Sequence, residues 1–133
     1  MHPCSIDVVA QDSLVLIVDN DVKGANLLKT ILEGYDYQVD VVSSGVAALG
    51  LVKMRRYSSI VMDFALGDIR GDELATKIKK EVKVLPIILL TGYKSNIKPS
   101  KLKIFDFVLE KPADPQKIVA TLQFLQRRVK KPE

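Results

Sequence analysis

Four apolar runs in this chain stop on a polar or charged residue, and that repetition restricts the fold more than any other feature. Leu14-Val15-Leu16-Ile17-Val18 stops on Asp19, and Ser59-Ile60-Val61-Met62 stops on Asp63. Ile87-Ile88-Leu89-Leu90 stops on Thr91, and Phe107-Val108-Leu109 reaches Glu110 and Lys111. Short, unbroken apolar runs are the mark of parallel strands covered by helices on both faces. If these strands are parallel and share one sheet, their carboxyl ends gather along one edge. Open α/β sheets bind ligands and do chemistry at that edge. Asp19, Asp63, Thr91 and Lys111 would then converge. Two acids, a hydroxyl and an ammonium at one point suit metal-assisted phosphoryl chemistry.

The intervening segments supply the covering helices. From Asp21, with Asn20 or Asp21 as cap, Val22, Ala25, Leu28, Ile31, Leu32 and Tyr35 form one stripe. Gly34 fits the stop of that helix. Tyr37 to Val42 is β-branched and predicts a second strand. Ser43 or Ser44 caps a second helix carrying Val46, Ala47, Leu49, Val52 and Met54. Ser58 to Asp63 is the third strand. A third helix runs from about Asp72 to Lys83, with Leu74, Ala75, Ile78 and Val82 inward. Pro86 opens the fourth strand, where proline is tolerated. Pro99 interrupts Gly92 to Leu102, so any helix there is short or broken. Asp106 to Lys111 is the fifth strand. The last helix spans about Asp114 to Val129, with Ile118, Val119, Leu122, Leu125 and Val129 on one face. Five strands alternating with helices predict a doubly wound α/β domain. The expected strand order is 2-1-3-4-5.

The totals bound what such a domain does. With 133 residues, the chain fits one domain with a real core. Residues 1–13 lack a clear period and are expected to be a leader, with the domain over 14–131. A single cysteine, Cys4, excludes an internal disulfide and a cysteine-based metal cluster. His2 and Cys4 fall in the leader and are expected to be inert. No apolar run approaches the ~20 residues of a membrane span. The start carries Asp7 and Asp12 without a basic stretch, so no signal peptide is apparent and a cytoplasmic protein is expected. A net charge of +4 is too small to argue for nucleic acid.

Taken together, residues from about Leu14 to Val129 resemble the receiver domain of response regulators. The family opens with a strand ending in an acid pair, matched by Val18-Asp19-Asn20-Asp21. Its phosphoacceptor aspartate matches Asp63, with Gly71 eight positions on. The hydroxyl residue ending the fourth strand matches Thr91, followed by small Gly92. The Lys-Pro pair matches Lys111-Pro112, whose peptide bond the family holds cis. The resemblance implies phosphoryl transfer from a kinase phosphohistidine to Asp63, with Thr91 and Lys111 each holding a phosphoryl oxygen. It implies a Mg²⁺ site of Asp19, Asn20, Asp63 and the backbone carbonyl of Ala65. It implies no enzyme beyond a domain that catalyses its own phosphorylation and dephosphorylation. The partners implied are a sensor histidine kinase or phosphotransfer protein, and a downstream protein or output domain. The output contact would use Gly92 to Lys111 and the last helix, where a homodimer contact is also possible.

Three departures carry expectations of their own. Asn20 replaces the second acid, so Mg²⁺ should bind weakly, unless the loop shifts to bring Asp21 in. Gly67 stands where the family usually has proline, which should loosen the loop after Asp63. Val108 holds the family's switch-aromatic position, while the pleat sends neighbouring Phe107 to the opposite face. An aromatic rotamer switch is therefore not expected. Lysines 94, 98, 101 and 103, with Lys117, Arg127, Arg128, Lys130 and Lys131, make the output side basic and point to an acidic partner.

Two rival readings remain at this point. Asp19-Asn20-Asp21-Val22 also fits the opening motif of haloacid-dehalogenase-like phosphatases, with Asp19 as nucleophile and Asp21 as acid-base. That reading leaves Asp63 and Gly71 unexplained. The other rival is a phosphorylation-independent receiver that keeps the fold as a protein-binding module, favoured by Asn20 and Val108.

Overall fold

The computed structural model describes residues 13–130. Five strands, β1 (Leu14–Val18), β2 (Gln38–Val42), β3 (Ser59–Asp63), β4 (Ile87–Thr91) and β5 (Phe107–Glu110), form one sheet. All pairings are parallel and the order is β2-β1-β3-β4-β5. The longer helices are α1 (Val22–Glu33), α2 (Gly45–Met54), α3 (Gly71–Glu81) and α5 (Pro115–Lys130). Between β4 and β5 lie a 3₁₀ turn over Lys94–Asn96 and the short helix α4 (Pro99–Leu102).

The pleat divides the core in two. Val15, Ile17, Val61, Ile88 and Leu90 pack with Ala25 and Leu32 of α1 and with Ile118, Val119, Leu122 and Leu125 of α5. Leu16, Val18, Ile60, Met62, Ile87 and Leu89 pack with Ala48 and Val52 of α2 and with Leu74, Ala75 and Ile78 of α3. Alternate residues of one strand face opposite helical layers, as period-two geometry requires. Strands buried on both faces show no polar alternation, which is why the runs read as continuous.

Local chemistry sets the element ends. Asp21 caps α1, its Oδ1 accepting from the Gly24 N–H at 3.3 Å. Ser44 caps α2, accepting from the Ala47 N–H at 3.2 Å. Pro115 opens α5 after Asp114, whose side chain accepts from the Gln116 N–H. Pro99 stands first in α4, where a missing N–H costs nothing. It therefore starts a short helix instead of breaking a longer one.

Several expected positions move. Val22 and Tyr35 are exposed, because one opens α1 and the other lies past its end. Val46, Ala47 and Met54 face solvent, since only Ala48 and Val52 of α2 point straight at the sheet. α3 stops at Glu81 because Val82 turns to extended backbone. Gly92 to Leu102 is short and broken as expected, but it is held: Ile97 is buried in the core, as is Phe105 just after it. His2, Cys4, Lys131 and nearly all of the expected leader fall outside the described residues, as do the side chains of Lys94, Arg127, Arg128, Val129 and Lys130.

Candidate functional site

The strand phases bring three of the expected side chains together. Asp19, Asp63 and Lys111 each continue the alternation that puts Val15, Ile17, Val61, Phe107 and Leu109 on the α1/α5 side of the sheet. The Lys111 Nζ lies 3.3 Å from Asp19 Oδ2 and 3.5 Å from Asp63 Oδ2. Each carboxylate is steadied on its other oxygen by backbone. Asp19 Oδ1 accepts from the Asp21 N–H at 2.9 Å, and Asp63 Oδ1 from the Phe64 N–H at 2.8 Å. The Lys111-Pro112 peptide bond is cis, and the Lys111 N–H donates to the Thr91 carbonyl at 2.8 Å.

Burial and charge oppose each other at this centre. Burial pushes the Asp63 carboxyl above its ordinary range, Lys111 pulls it down, and Asp19 pushes it up again. Burial alone would lower the Lys111 ammonium, but Asp63 and Asp19 together hold it above its ordinary value. The cation thus stays charged between two acids, and burial makes Asp63 a strained anion. An acid held this way gains from any positive group that enters beside it.

Thr91 is buried at the end of β4; its hydroxyl accepts from the Tyr93 N–H at 3.4 Å. Asn20 is exposed beside the cluster. Asp21 caps α1 through one carboxylate oxygen.

The donor set suits a hard divalent cation carrying several waters. Two carboxylates, Asp19 and Asp63, meet at Lys111; Asn20 follows Asp19 in the chain and Ala65 lies two residues past Asp63. Mg²⁺ commonly takes one or two carboxylates and keeps water for the rest. Among the described residues no group of three or more acids, histidines or cysteines surrounds a point, so the charge offered is low.

The loop after β3 is tied to its surroundings at several points. Gly67 has φ +95°, a conformation closed to proline, so the loop follows a path the usual residue could not. Ala65 bridges to Arg70, and the Gly71 N–H donates to the Phe64 carbonyl at 2.7 Å. A Cβ on Gly71 would lie 2.9 Å from the Asp63 carbonyl oxygen and from Phe64 Cα, so only glycine lets α3 start this close to the site.

Two acids that the sequence did not single out secure this loop. Asp68 accepts from the N–H groups of Gly45 and Val46 at 3.1 and 3.0 Å. These bonds hold its carboxyl below the usual range and pin the loop to the start of α2. Asp72 accepts from Arg70 through both oxygens, at 3.0 and 3.2 Å, and from Lys101 at 3.4 Å. A path thus runs from Asp63 through Phe64, Gly71 and Asp72 to α4. Asp72 lies within the first turn of α3, where an acid is ordinary; nothing in the sequence reveals its reach to Lys101.

Val108 packs against the α2/α3 side of the core and Phe107 against the other. Phe107 meets Phe124 edge-on at 5.8 Å. The aromatic is thus committed to the α5 layer, away from Thr91.

Comparison with known proteins agrees with this geometry. The family model for the response regulator receiver domain matches residues 15–123. The chain belongs to that family, whose members serve two-component systems and are not enzymes in the ordinary sense. The transcriptional regulatory protein SrrA of Staphylococcus aureus is 33% identical over 116 residues, covering 86% of this chain and 48% of SrrA. A CheY-like receiver domain from Methylobacillus flagellatus superposes with TM-score 0.79 at 30% identity, covering 85% of this chain and 98% of that one. The response regulator TrrA of Thermotoga maritima, solved in complex with Mg(2+)-BeF, superposes with TM-score 0.80 at 26% identity, covering 85% and 98%. The chain spans between a quarter and about half the length of the curated relatives it matches. No helix among the described residues is long and apolar enough to cross a membrane.

Proposed function

We propose that Asp63 is the phosphoacceptor of this receiver domain and that its phosphorylation switches a protein contact. The observation that carries the reading is Asp63 at the end of the central strand, with the Lys111 ammonium 3.5 Å from one oxygen and Asp19 held by that same ammonium. The Asp63 carboxylate attacks phosphorus. An oxygen–phosphorus bond forms, the nitrogen–phosphorus bond of the donor phosphohistidine breaks, and the imidazole leaves with a proton. Lys111 meets one of the phosphoryl oxygens as a point charge. Thr91 gives up the Tyr93 N–H and turns its hydroxyl to another. Asp19, Asn20, Asp63 and the Ala65 carbonyl are the groups that would hold a Mg²⁺ ion, which when bound would supply positive charge to offset that of the phosphoryl group.

The partners are a sensor histidine kinase or phosphotransfer protein on the input side. On the output side, a downstream protein or domain meets the Gly92 to Lys111 stretch and α5. The domain occupies residues 14–131 behind a short leader and works in the cytoplasm. Incubation with phosphoramidate and Mg²⁺ should add the mass of one phosphoryl group to the wild type and to Asp19→Asn at reduced rate, and none to Asp63→Asn. A phosphatase of the rival kind would instead lose turnover of a phosphate ester in Asp19→Asn and keep it in Asp63→Asn. A phosphorylation-independent binding module is the second reading, favoured by exposed Asn20 and by the Thr91 hydroxyl accepting from the Tyr93 N–H. It predicts no labelling of any variant.

A further inference from the structure

Helix α2 carries an outward face that the receiver chemistry does not use. Its sequence, GVAALGLVKM, holds one charge, Lys53, around the whole circumference. Ala48 and Val52 face the sheet, and Leu49 and Leu51 pack on its flanks. The opposite side is Val46, Ala47, Gly50, Lys53 and Met54, all exposed. Val46 is 74% and Met54 80% exposed. A surface helix normally turns charged residues to water, and a helix apolar all round is normally covered.

The arrangement of that face selects its occupant. Gly50 lies at its centre, with Val46 one turn before and Met54 one turn after. A Cβ at Gly50 would meet nothing within 4 Å, so the middle of the face is a shallow dip between two apolar side chains. Turned about a twofold axis through Gly50, the face fits itself. Val46 of one copy meets Met54 of the other, and the two backbones approach over paired glycines. The rims also match. At the start of α2 sits the Asp68 carboxylate. Past its end sit Lys53, Arg55 and Arg56; Lys53 pairs with Glu81 and Arg55 with Asp40, while Arg56 has no ion-pair partner among the described residues. In an antiparallel pairing the acidic end of one copy, marked by Asp68, would lie toward the basic end of the other, marked by Arg56, a closed, isologous arrangement.

We propose that α2 is a self-association face and that two copies of this chain pack there with their α2 helices antiparallel. The helix is ~15 Å long, short of what the ~800 Å² per partner of a stable complex needs. The dimer is therefore reversible and concentration-dependent. It leaves the acid cluster at the sheet edge and α5 free.

Sedimentation velocity of the whole chain over a concentration series tests this. The wild type should move from monomer to dimer, and Met54→Glu should remain monomeric at every concentration. Arg56→Glu should weaken the dimer by about two- to fivefold, the worth of a rim ion pair. Cysteine crosslinking in a Cys4→Ser background fixes the orientation. Gly50→Cys should link to itself on oxidation, and Val46→Cys should link to Met54→Cys in a mixture far faster than to itself. A wild type that stays monomeric throughout overturns the proposal and leaves the face to another partner. A dimer that survives Met54→Glu, or equal linking of Val46→Cys to itself, overturns it as well.

Discussion

The same substitution should move stability in opposite directions at two glycines. At Gly71, alanine places a Cβ 2.9 Å from the Asp63 carbonyl oxygen and 2.9 Å from Phe64 Cα. Both neighbours are backbone, so neither yields by a rotamer change. Either α3 backs away from the loop, lengthening the 2.7 Å bond from the Gly71 N–H to the Phe64 carbonyl, or the end of β3 shifts. Overpacking of this kind costs about 1–3 kcal/mol. At Gly50, in the interior of α2, a Cβ meets nothing within 4 Å. There alanine removes only the entropic handicap of glycine in a helix, a gain of about 0.5–1 kcal/mol. For a domain of this size each kcal/mol moves the melting temperature by about 3–5 °C. Gly71→Ala should therefore melt at least about 3 °C lower, and Gly50→Ala about 2–4 °C higher. Thermal and urea unfolding followed by circular dichroism at low micromolar concentration would show both. A neutral Gly71→Ala, or two shifts of the same sign, refutes the close-approach argument.

Four further outcomes follow from the site. Asn20→Asp should tighten Mg²⁺ by a charge worth about 1–4 kcal/mol between water-like and surface-like screening, read by titration calorimetry; an unchanged dissociation constant removes Asn20 from the metal. The Arg70 hydrogen bonds hold the Asp72 carboxyl below its ordinary range, burial opposes them, and Lys101 adds to them. A carboxyl depressed on folding stabilises above its unfolded pKa and loses that contribution as pH falls through the folded value. The stability deficit of Asp72→Asn should thus be full at pH 7 and vanish in strong acid; a deficit independent of pH would leave no role for the charge. Lys101→Ala should cost about 1 kcal/mol or less, since its ammonium is partly solvated, yet loosen amide protection across 99–102. A beryllofluoride-type phosphoryl mimic with Mg²⁺ should alter exchange between Gly92 and Leu102 and leave Val108 and Phe107 unmoved; bound mimic without that change points to a domain that does not switch.

Much of this architecture was legible because parallel strands covered on both sides have little choice of composition. The runs ending at Asp19, Asp63 and Lys111 announced the sheet edge, and the period of two placed their side chains together. Thr91 was placed at the edge correctly, but which way its hydroxyl turns depends on the Tyr93 N–H, a local bond that no spacing reveals. The bonds that anchor the loop around Gly67 were hidden for a different reason. Asp68 reaches the N–H of Gly45, 23 residues earlier in the chain, and long-range capping leaves no periodic trace. The same holds for Asp72 and Lys101. Helix α2 misled because an apolar residue every three or four positions usually marks the buried side. When the whole circumference is apolar, the pattern no longer says which side is in, and only the packing of Ala48 and Val52 decides it.

Site-resolved mass spectrometry of the phosphorylated chain tests the central claim most directly. The protein is treated with phosphoramidate, with Mg²⁺ or with chelator, digested in acid and sequenced by fragmentation. Phosphorylation confined to Asp63, dependent on Mg²⁺ and slowed in Lys111→Met, is the predicted result. A phosphoryl group on Asp19 or any other residue, or an unmodified Asp63 under conditions that label a control receiver domain, would contradict it.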